Sequence, residues 1–501
     1  MKTLRTPVLV VGAGPVGLCT AMFLAHWGVS SVVIDKRDPT TAPPRAATSM
    51  RTLELFRSVG LWDSIDRNAW KTSAPMAGVF KDSAFGEAQR VAGLPRRHTE
   101  RLATCSPVGP GIGMTQSEVQ QIALEQLSTT NAVRFGAELL DLDMDETTVR
   151  ARIVDSATGE PEEIVADYLI AADGANSRVR GLLGITVPDR VVVARMNTAF
   201  FRADLGDIMD KWGTTACFVR NERVYATLFS KNGADQWSSH IMDYAGKPDE
   251  LTDLSHDKTV ELLHAVIGDD RIDIDLHAVN AWEAALGVAS KLRQGRVFLV
   301  GDAAHVQSSA GGLGMNTGIQ DGHNLAWKIA AVLAGNAAPP LLDTYEPERM
   351  AAVEASLALS RRMHEGYLNR VDPDQLYDAI AADYLRGMLF YSYQPDSPNE
   401  VMRDEIRPGR RFPHHWVKPD LSTLDLIGSR WTVLTGAGGA SWLAAADELE
   451  MDVQAFEVPD VISPDDAVLV RPDGFVGWRA DGASPAALSG AIRRLLGHAS
   501  R

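Results

Sequence analysis

Gly12, Gly14 and Gly17 stand in the spacing GxGxxG, and Asp35 follows about 20 residues later. Such a set can hold a nucleotide. Gly12 permits a tight turn, Gly14 lets backbone come close to a pyrophosphate, and Gly17 lets a helix pack against a strand. A helix opening at this loop offers unpaired N–H groups to phosphate charge, and an acidic residue at the next strand end accepts hydrogen bonds from a ribose. The motif does not by itself separate FAD from NAD, and a glycine-rich βα turn without ligand has the same spelling. Pro15, Lys36 and Arg37 flank these positions and join them as cofactor-binding candidates.

Two later segments carry the distinction. Asp173-Gly174 follows the apolar run Tyr168–Ala172, and a helix starts around Arg178. Asp302 ends the run from Arg296 to Gly301, and Gly311-Gly312-Leu313-Gly314-Met315-Asn316 then leads into a long amphipathic stretch. A carboxylate at such a strand end is placed for the hydroxyls of a ribityl chain. A glycine-rich turn before a helix presents N–H groups to a group gaining negative charge, as the N1–O2 edge of a reduced flavin does. The plainer alternative is an ordinary strand–turn–helix crossover.

These residues need strands that end where the motifs begin. Val8–Val11 is short and β-branched and runs directly into Gly12, so it reads as a strand and not as a secretory signal. A helix over Leu18–Trp27 closed by Gly28, a strand Ser31–Ile34 and a helix of about Asn316–Leu333 stopped by Gly335 complete the expected α/β, Rossmann-like frame. The 501 residues allow about three domains. With 49 Lys+Arg against 65 Asp+Glu, the net charge of -16 argues against a nucleic-acid partner. No apolar run reaches the roughly 18 residues of a membrane span. Cys19, Cys105 and Cys217 are far apart, and neither they nor the histidines show metal-ligand spacing. A reduced, cytoplasmic protein without a metal is expected.

Taken together, the segments resemble class A flavoprotein monooxygenases, the aromatic hydroxylases related to para-hydroxybenzoate hydroxylase, and most of all the aromatic polyketide hydroxylases. Pro44-Arg45-Ala46 with Met50-Arg51-Thr52-Leu53-Glu54-Leu55-Phe56, the stretch Gly318–Lys328, and Asp343-Thr344-Tyr345-Glu346-Pro347-Glu348-Arg349 carry the likeness, which covers nearly the whole chain. It implies FAD as cofactor, with Gly12, Gly14 and Gly17 at the pyrophosphate and Asp35 at the ribose. Arg45 and Gln116 would contact FAD, Asp302 the ribityl–phosphate region, and Gly312 and Gly314–Asn316 the isoalloxazine edge. Asp173 and Arg178 are associated in the family with FAD and nicotinamide use. NADPH or NADH would be a transient co-substrate, with O₂ and an aromatic small molecule as the others. Oxygen transfer through a flavin C4a-hydroperoxide is implied, Baeyer–Villiger insertion being the variant on the same scaffold. A catalytically silent FAD-binding assembly protein is the rival from another class. Where the family has prolines before its double glycine, this chain has Gln307-Ser308-Ser309-Ala310, which leaves substrate orientation open.

On these anchors the FAD-binding domain spans 1–187, with a substrate-domain excursion at about 76–104, and returns at 291–395. An antiparallel substrate-binding sheet fills 188–290. A thioredoxin-like C-terminal domain without cysteine occupies 396–501, joined by a linker at Arg407–Pro413. Tyr225 and His240, on alternating apolar–polar runs of the substrate sheet, are the candidates to meet a phenol, against the readings of a core tyrosine and a surface histidine. A monomer or homodimer is expected.

Overall fold

The structure, a computed structural model, describes residues 2–38, 48–71, 77–127, 132–212, 216–231, 234–242, 254–368, 371–394, 405–449 and 451–498. Apolar β-branched runs buried on both faces form the parallel centre of a mixed eight-stranded sheet, as such runs do when helices cover them, while Arg293–Gln294 and the hairpin Ala137–Met144 with Val149–Asp155 pair antiparallel at its margins. Its strands follow the order Arg293–Gln294, Val297–Leu299, Pro161–Ala171, Lys2–Val11, Ser31–Asp35 and Ala132–Phe135. The register aligns Val11 with Ala171 and Ile34, and Ala171 with Leu299. Four parallel strands therefore end level with one another, and the segments that follow them share one edge.

Helix Pro15–His26 crosses helix Gly314–Leu333 closely beneath this edge. The approach depends on glycine: a Cβ on Gly318 would lie 2.7 Å from Val16 Cγ2, and one on Gly322 would lie 2.1 Å from Thr20 Oγ1.

A second sheet of eight strands has the order His305–Val306, Asp275–Val288, Val191–Arg202, Gln236–Met242, Tyr225–Ser230, Ala216–Arg220, Ala77–Lys81 and Ala88–Gly93. Period-2 alternation sends Ala199, Phe201, Val219, Ala226, Leu228 and Ile241 into a core shared with helix His256–Ile267. Thr198, Phe218, Thr227, Phe229 and His240 point the other way, toward the first sheet's edge.

The C-terminal unit is a strand–helix–strand (Trp431–Thr435, Ala440–Asp447, Val453–Glu457) followed by the strands Ala467–Val470 and Val476–Arg479 and helix Ala487–Leu495. Its first strand pairs parallel with the second and antiparallel with the third, the connectivity of a thioredoxin-like unit. The Arg407–Pro413 segment differs from a slack linker. Arg410 and Arg411 are buried, and their backbone forms β-bridges to Ser392 and Phe475; their guanidiniums pair with carboxylates, Arg410 with Glu405 at 3.8 Å and Arg411 with Glu54. Among the described residues no helix is long and apolar enough to cross a membrane.

Candidate active site

The first strand ends in the turn that Gly12 makes possible. Its φ is +107°, and a Cβ there would lie 2.2 Å from Ala172 O. Gly17 is equally confined, a Cβ meeting Gly12 O at 1.9 Å, so both glycines serve packing. Gly14 is different. A Cβ on it would meet nothing within 4 Å, and it caps helix Pro15–His26 while lining a cavity together with Pro15, Lys36 and Arg37. Asp35 stands behind this wall, where its carboxylate accepts from Ala13 N and Arg37 N, both at 2.9 Å. It holds the loop shape and retains lone pairs for a ribose. Gln116 opens helix Gln116–Leu127 at the same cavity. Arg45 lies outside the described residues.

Asp173 lines the cavity as well, with one oxygen accepting from Val179 N at 3.0 Å. Burial pushes its carboxyl pKa up. Arg178 turns the other way and donates to Leu140 O at 3.1 and 2.6 Å, bracing a neighbouring strand. The structure does not bring it to the site. Asp302 follows the strand Val297–Leu299 and opens into the cavity, where desolvation raises its pKa. Its turn is held by Asp321, a residue that sequence reasoning left without a role. The buried Asp321 carboxylate accepts from Gly301 N at 3.0 Å, His305 Nε2 at 2.7 Å and Arg349 Nε at 2.6 Å.

Opposite Asp302, Gly312 and Gly314–Asn316 form the cavity floor. Cβ atoms on Gly312 and Gly314 would meet nothing within 4 Å. Gly314, Met315 and Asn316 are the first residues of their helix, so their N–H groups have no partner within it. The Asn316 side chain fixes this loop. Its Oδ1 accepts from Ser49 N at 2.7 Å and Thr52 Oγ1 at 2.6 Å, and its Nδ2 donates to Gly312 O at 2.8 Å.

The second sheet roofs the cavity. His240 faces in from its middle, edge-on to Phe229 at 5.5 Å and to Trp282 at 6.3 Å between ring centres. Burial, with a smaller effect of Lys231, lowers its pKa to about 4, so the imidazole is neutral at physiological pH. Tyr225 packs instead among Ala194, Met196, Met242 and Ala284, with the Arg220 guanidinium 4.9 Å above its ring. Burial pushes its pKa up to about 12, and it does not line the cavity. The serines that replace prolines are anchored too. Ser308 Oγ lies 3.2 Å from His364 Nδ1, whose Nε2 is 3.2 Å from Val193 O, while Ser309 faces Met196. Tyr377 and Tyr384, seven residues apart on helix Pro373–Met388, close the remaining side. Their spacing was the one signal for them.

The cavity volume is about 1800 Å³. Small-ligand sites usually measure some 300–1,000 Å³, so there is room for a dinucleotide and a second flat molecule. Bare backbone at Gly14, Gly312 and Gly314, unpaired helix N–H groups and a carboxylate at Asp302 are the donor and acceptor set that FAD requires. The residues fit it.

Comparison with known proteins agrees. The family described as FAD binding domain matches residues 5–360, and that described as aromatic-ring hydroxylase, C-terminal, matches residues 405–499. Aklavinone 12-hydroxylase RdmE of Streptomyces purpurascens is 34% identical, over 99% of this chain and 100% of its own. A 4-methyl-5-nitrocatechol 5-monooxygenase of a Burkholderia species is 32% identical, over 98% of both chains. The crystal structure of aklavinone-11 hydroxylase with FAD and aklavinone superposes with a TM-score of 0.88 at 32% identity, covering 99% of this chain and 100% of that one. The chain therefore belongs to the FAD-dependent aromatic-ring hydroxylases, the class A flavoprotein monooxygenases.

Proposed function

We propose that this enzyme hydroxylates a polycyclic aromatic phenol of the polyketide type, using FAD, O₂ and NADPH or NADH. The observation that carries the reading is the shape of the cavity, a glycine-loop floor facing an aromatic roof. FAD, when bound, supplies electron transfer from the nicotinamide and activation of O₂. The chain's own residues do the rest. The N–H groups of Gly314–Asn316 would meet negative charge on the flavin edge, and Asp302 would accept from its hydroxyl chain. Gly14 and the helix end at Pro15 would receive the pyrophosphate.

Phe218, Phe229 and Trp282, with Met196 and Met242, give the ceiling flat apolar surface and polarisable sulfur. A planar ring system gains dispersion there and displaces water from the reacting end. Trp282 is held by its own hydrogen bond to Thr198 Oγ1 at 3.0 Å. His240 accepts a hydrogen bond from a ring hydroxyl. With a pKa of about 4 it shares that proton without removing it, which increases electron density on the ring while the imidazole stays neutral.

FAD-loaded protein incubated with NADPH or NADH under ¹⁸O₂, against a panel of polycyclic phenols, tests the reading. A product heavier by one labelled oxygen is expected. Nicotinamide oxidation that no phenol stimulates would overturn it.

A further inference from the structure

The roof carries a charge that the flavin does not account for. Lys231 follows strand Tyr225–Ser230 and lines the cavity, with Nζ 5.9 Å from the Phe229 ring centre. Phe229 also meets the His240 ring, so the three side chains share one patch. Of the other cations at the cavity, Lys71 is paired with Asp66 at 2.6 Å and Arg190 with Glu283 at 3.4 Å, while Lys36 and Arg37 stand at the Gly14 end, beside the proposed pyrophosphate site. Among the described residues Lys231 has no carboxylate partner. Burial alone lowers its pKa, to about 8. A partly desolvated ammonium without a counter-charge costs free energy, which an incoming anion recovers.

Position along the sheet sets where that anion would lie. Tyr225 is in register with Met242, and Met242 with Met196, whose sulfur touches Ser309 of the glycine-rich loop. Lys231 is six residues further along the chain from Tyr225, or about 20 Å at ordinary strand rise. It therefore marks the end of the cavity remote from the loop.

We propose that Lys231 anchors an anionic oxygen of the substrate, a carboxylate or an ionised hydroxyl, on the ring farthest from the flavin loop. This rests on the reading of the cavity as an aromatic-substrate site. The neutral His240 beside it leaves Lys231 as the positive member of the pair, so an uncharged isostere of the ligand loses the contact while keeping its ring stacking.

Binding to the FAD-loaded enzyme separates the two readings. Anthraquinone-2-carboxylate and its carboxamide form one matched pair, alizarin (ionised at its 2-hydroxyl at pH 7) and its 2-methyl ether the other, each titrated at pH 7, where Lys231 keeps its charge, by perturbation of flavin absorbance. Wild type should bind the acid of at least one pair roughly tenfold to a hundredfold more tightly than its neutral mate, and the responding pair names the acid. Lys231→Met should abolish that preference, with neutral-probe affinity and FAD content unchanged, while Lys231→Arg keeps it. Equal affinities within both pairs, or a preference that survives in Lys231→Met, overturns the anchor. Failure of all four compounds to bind overturns the aromatic-site reading beneath it.

Discussion

Arg411 of the C-terminal unit closes a bidentate ion pair on Glu54, with Nε and Nη2 at 2.9 and 2.5 Å from the two carboxylate oxygens and both side chains 2% exposed. Glu54 also accepts from Arg51 at 3.0 Å, and Arg51 reaches Asp473 O at 3.2 Å. Thr52, on the same helix, donates to Asn316 at the cavity floor together with Ser49. The C-terminal unit is thus tied to the loop proposed to receive the isoalloxazine. Arg411→Met should destabilise the fold by about 3–5 kcal/mol, because it strands part of a buried charge, and should weaken FAD binding. Thermal melts and flavin titration check both effects. An unchanged flavin affinity in a folded variant would confine the pair to a structural role.

The same pairs fix the response to acid. Burial would raise the pKa of Glu54, but Arg411 and Arg51 outweigh it and leave the value lowered. Asp321 is lowered in the same way against burial by Arg349 and His305, and Glu348 by Arg471 and Lys328. Carboxyls with depressed folded values bind fewer protons folded than unfolded, so their stabilisation is complete above the unfolded range and is lost as pH falls through the folded values. The melting temperature should fall gently below about pH 6.5, where His240 takes a proton in the unfolded chain only, and more steeply below about pH 5, where these carboxyls follow. Glu54→Gln should make that drop shallower.

Asp302→Ala should reduce FAD affinity roughly tenfold, the worth of a lost hydrogen bond to a buried charge. Quenching of flavin fluorescence on reconstitution measures it. The apoprotein should melt at the wild-type temperature, since the Asp302 side chain is exposed in the cavity.

Tyr225→Phe should leave coupling of nicotinamide oxidation to hydroxylation unchanged. The ring packs in the sheet under Arg220, away from the cavity lining. Peroxide release above the wild-type level would return the hydroxyl to the site.

Local chemistry was legible in the chain. The glycine loop, the strand ends at Asp173 and Asp302, and the alternation that turns His240 inward depend on neighbours within a few residues, where spacing and periodicity record them. Asp321 was not legible, since its partners Gly301, His305 and Arg349 come from three elements and only packing brings them together. Tyr225 misled for a related reason. It shares a strand face with Thr227 and Phe229, but it lies at the end where that face is covered by Met196 and Met242. Arg178 sits beside a true cavity residue, yet it finds a carbonyl on the outer strand. Period gives the face of a side chain; tertiary packing decides what covers it.

Gly12 and Gly14 should respond differently to alanine, although the motif treats them alike. At Gly12 the positive φ is strained for alanine, and a Cβ would collide with Ala172 O at 2.2 Å, a backbone atom that cannot move without breaking strand register. Gly12→Ala should therefore lower the stability of the apoprotein as well as FAD binding. At Gly14 the backbone is extended and the Cβ would enter open space. Gly14→Ala should leave the apoprotein melt unchanged, since nothing in the chain is displaced. The methyl group would occupy the surface proposed for the pyrophosphate, so FAD affinity should fall by tenfold or more, about 1.4 kcal/mol at least. Paired measurements of apoprotein melting and flavin titration separate the two glycines. A Gly14→Ala variant that binds FAD normally would move the pyrophosphate off this turn.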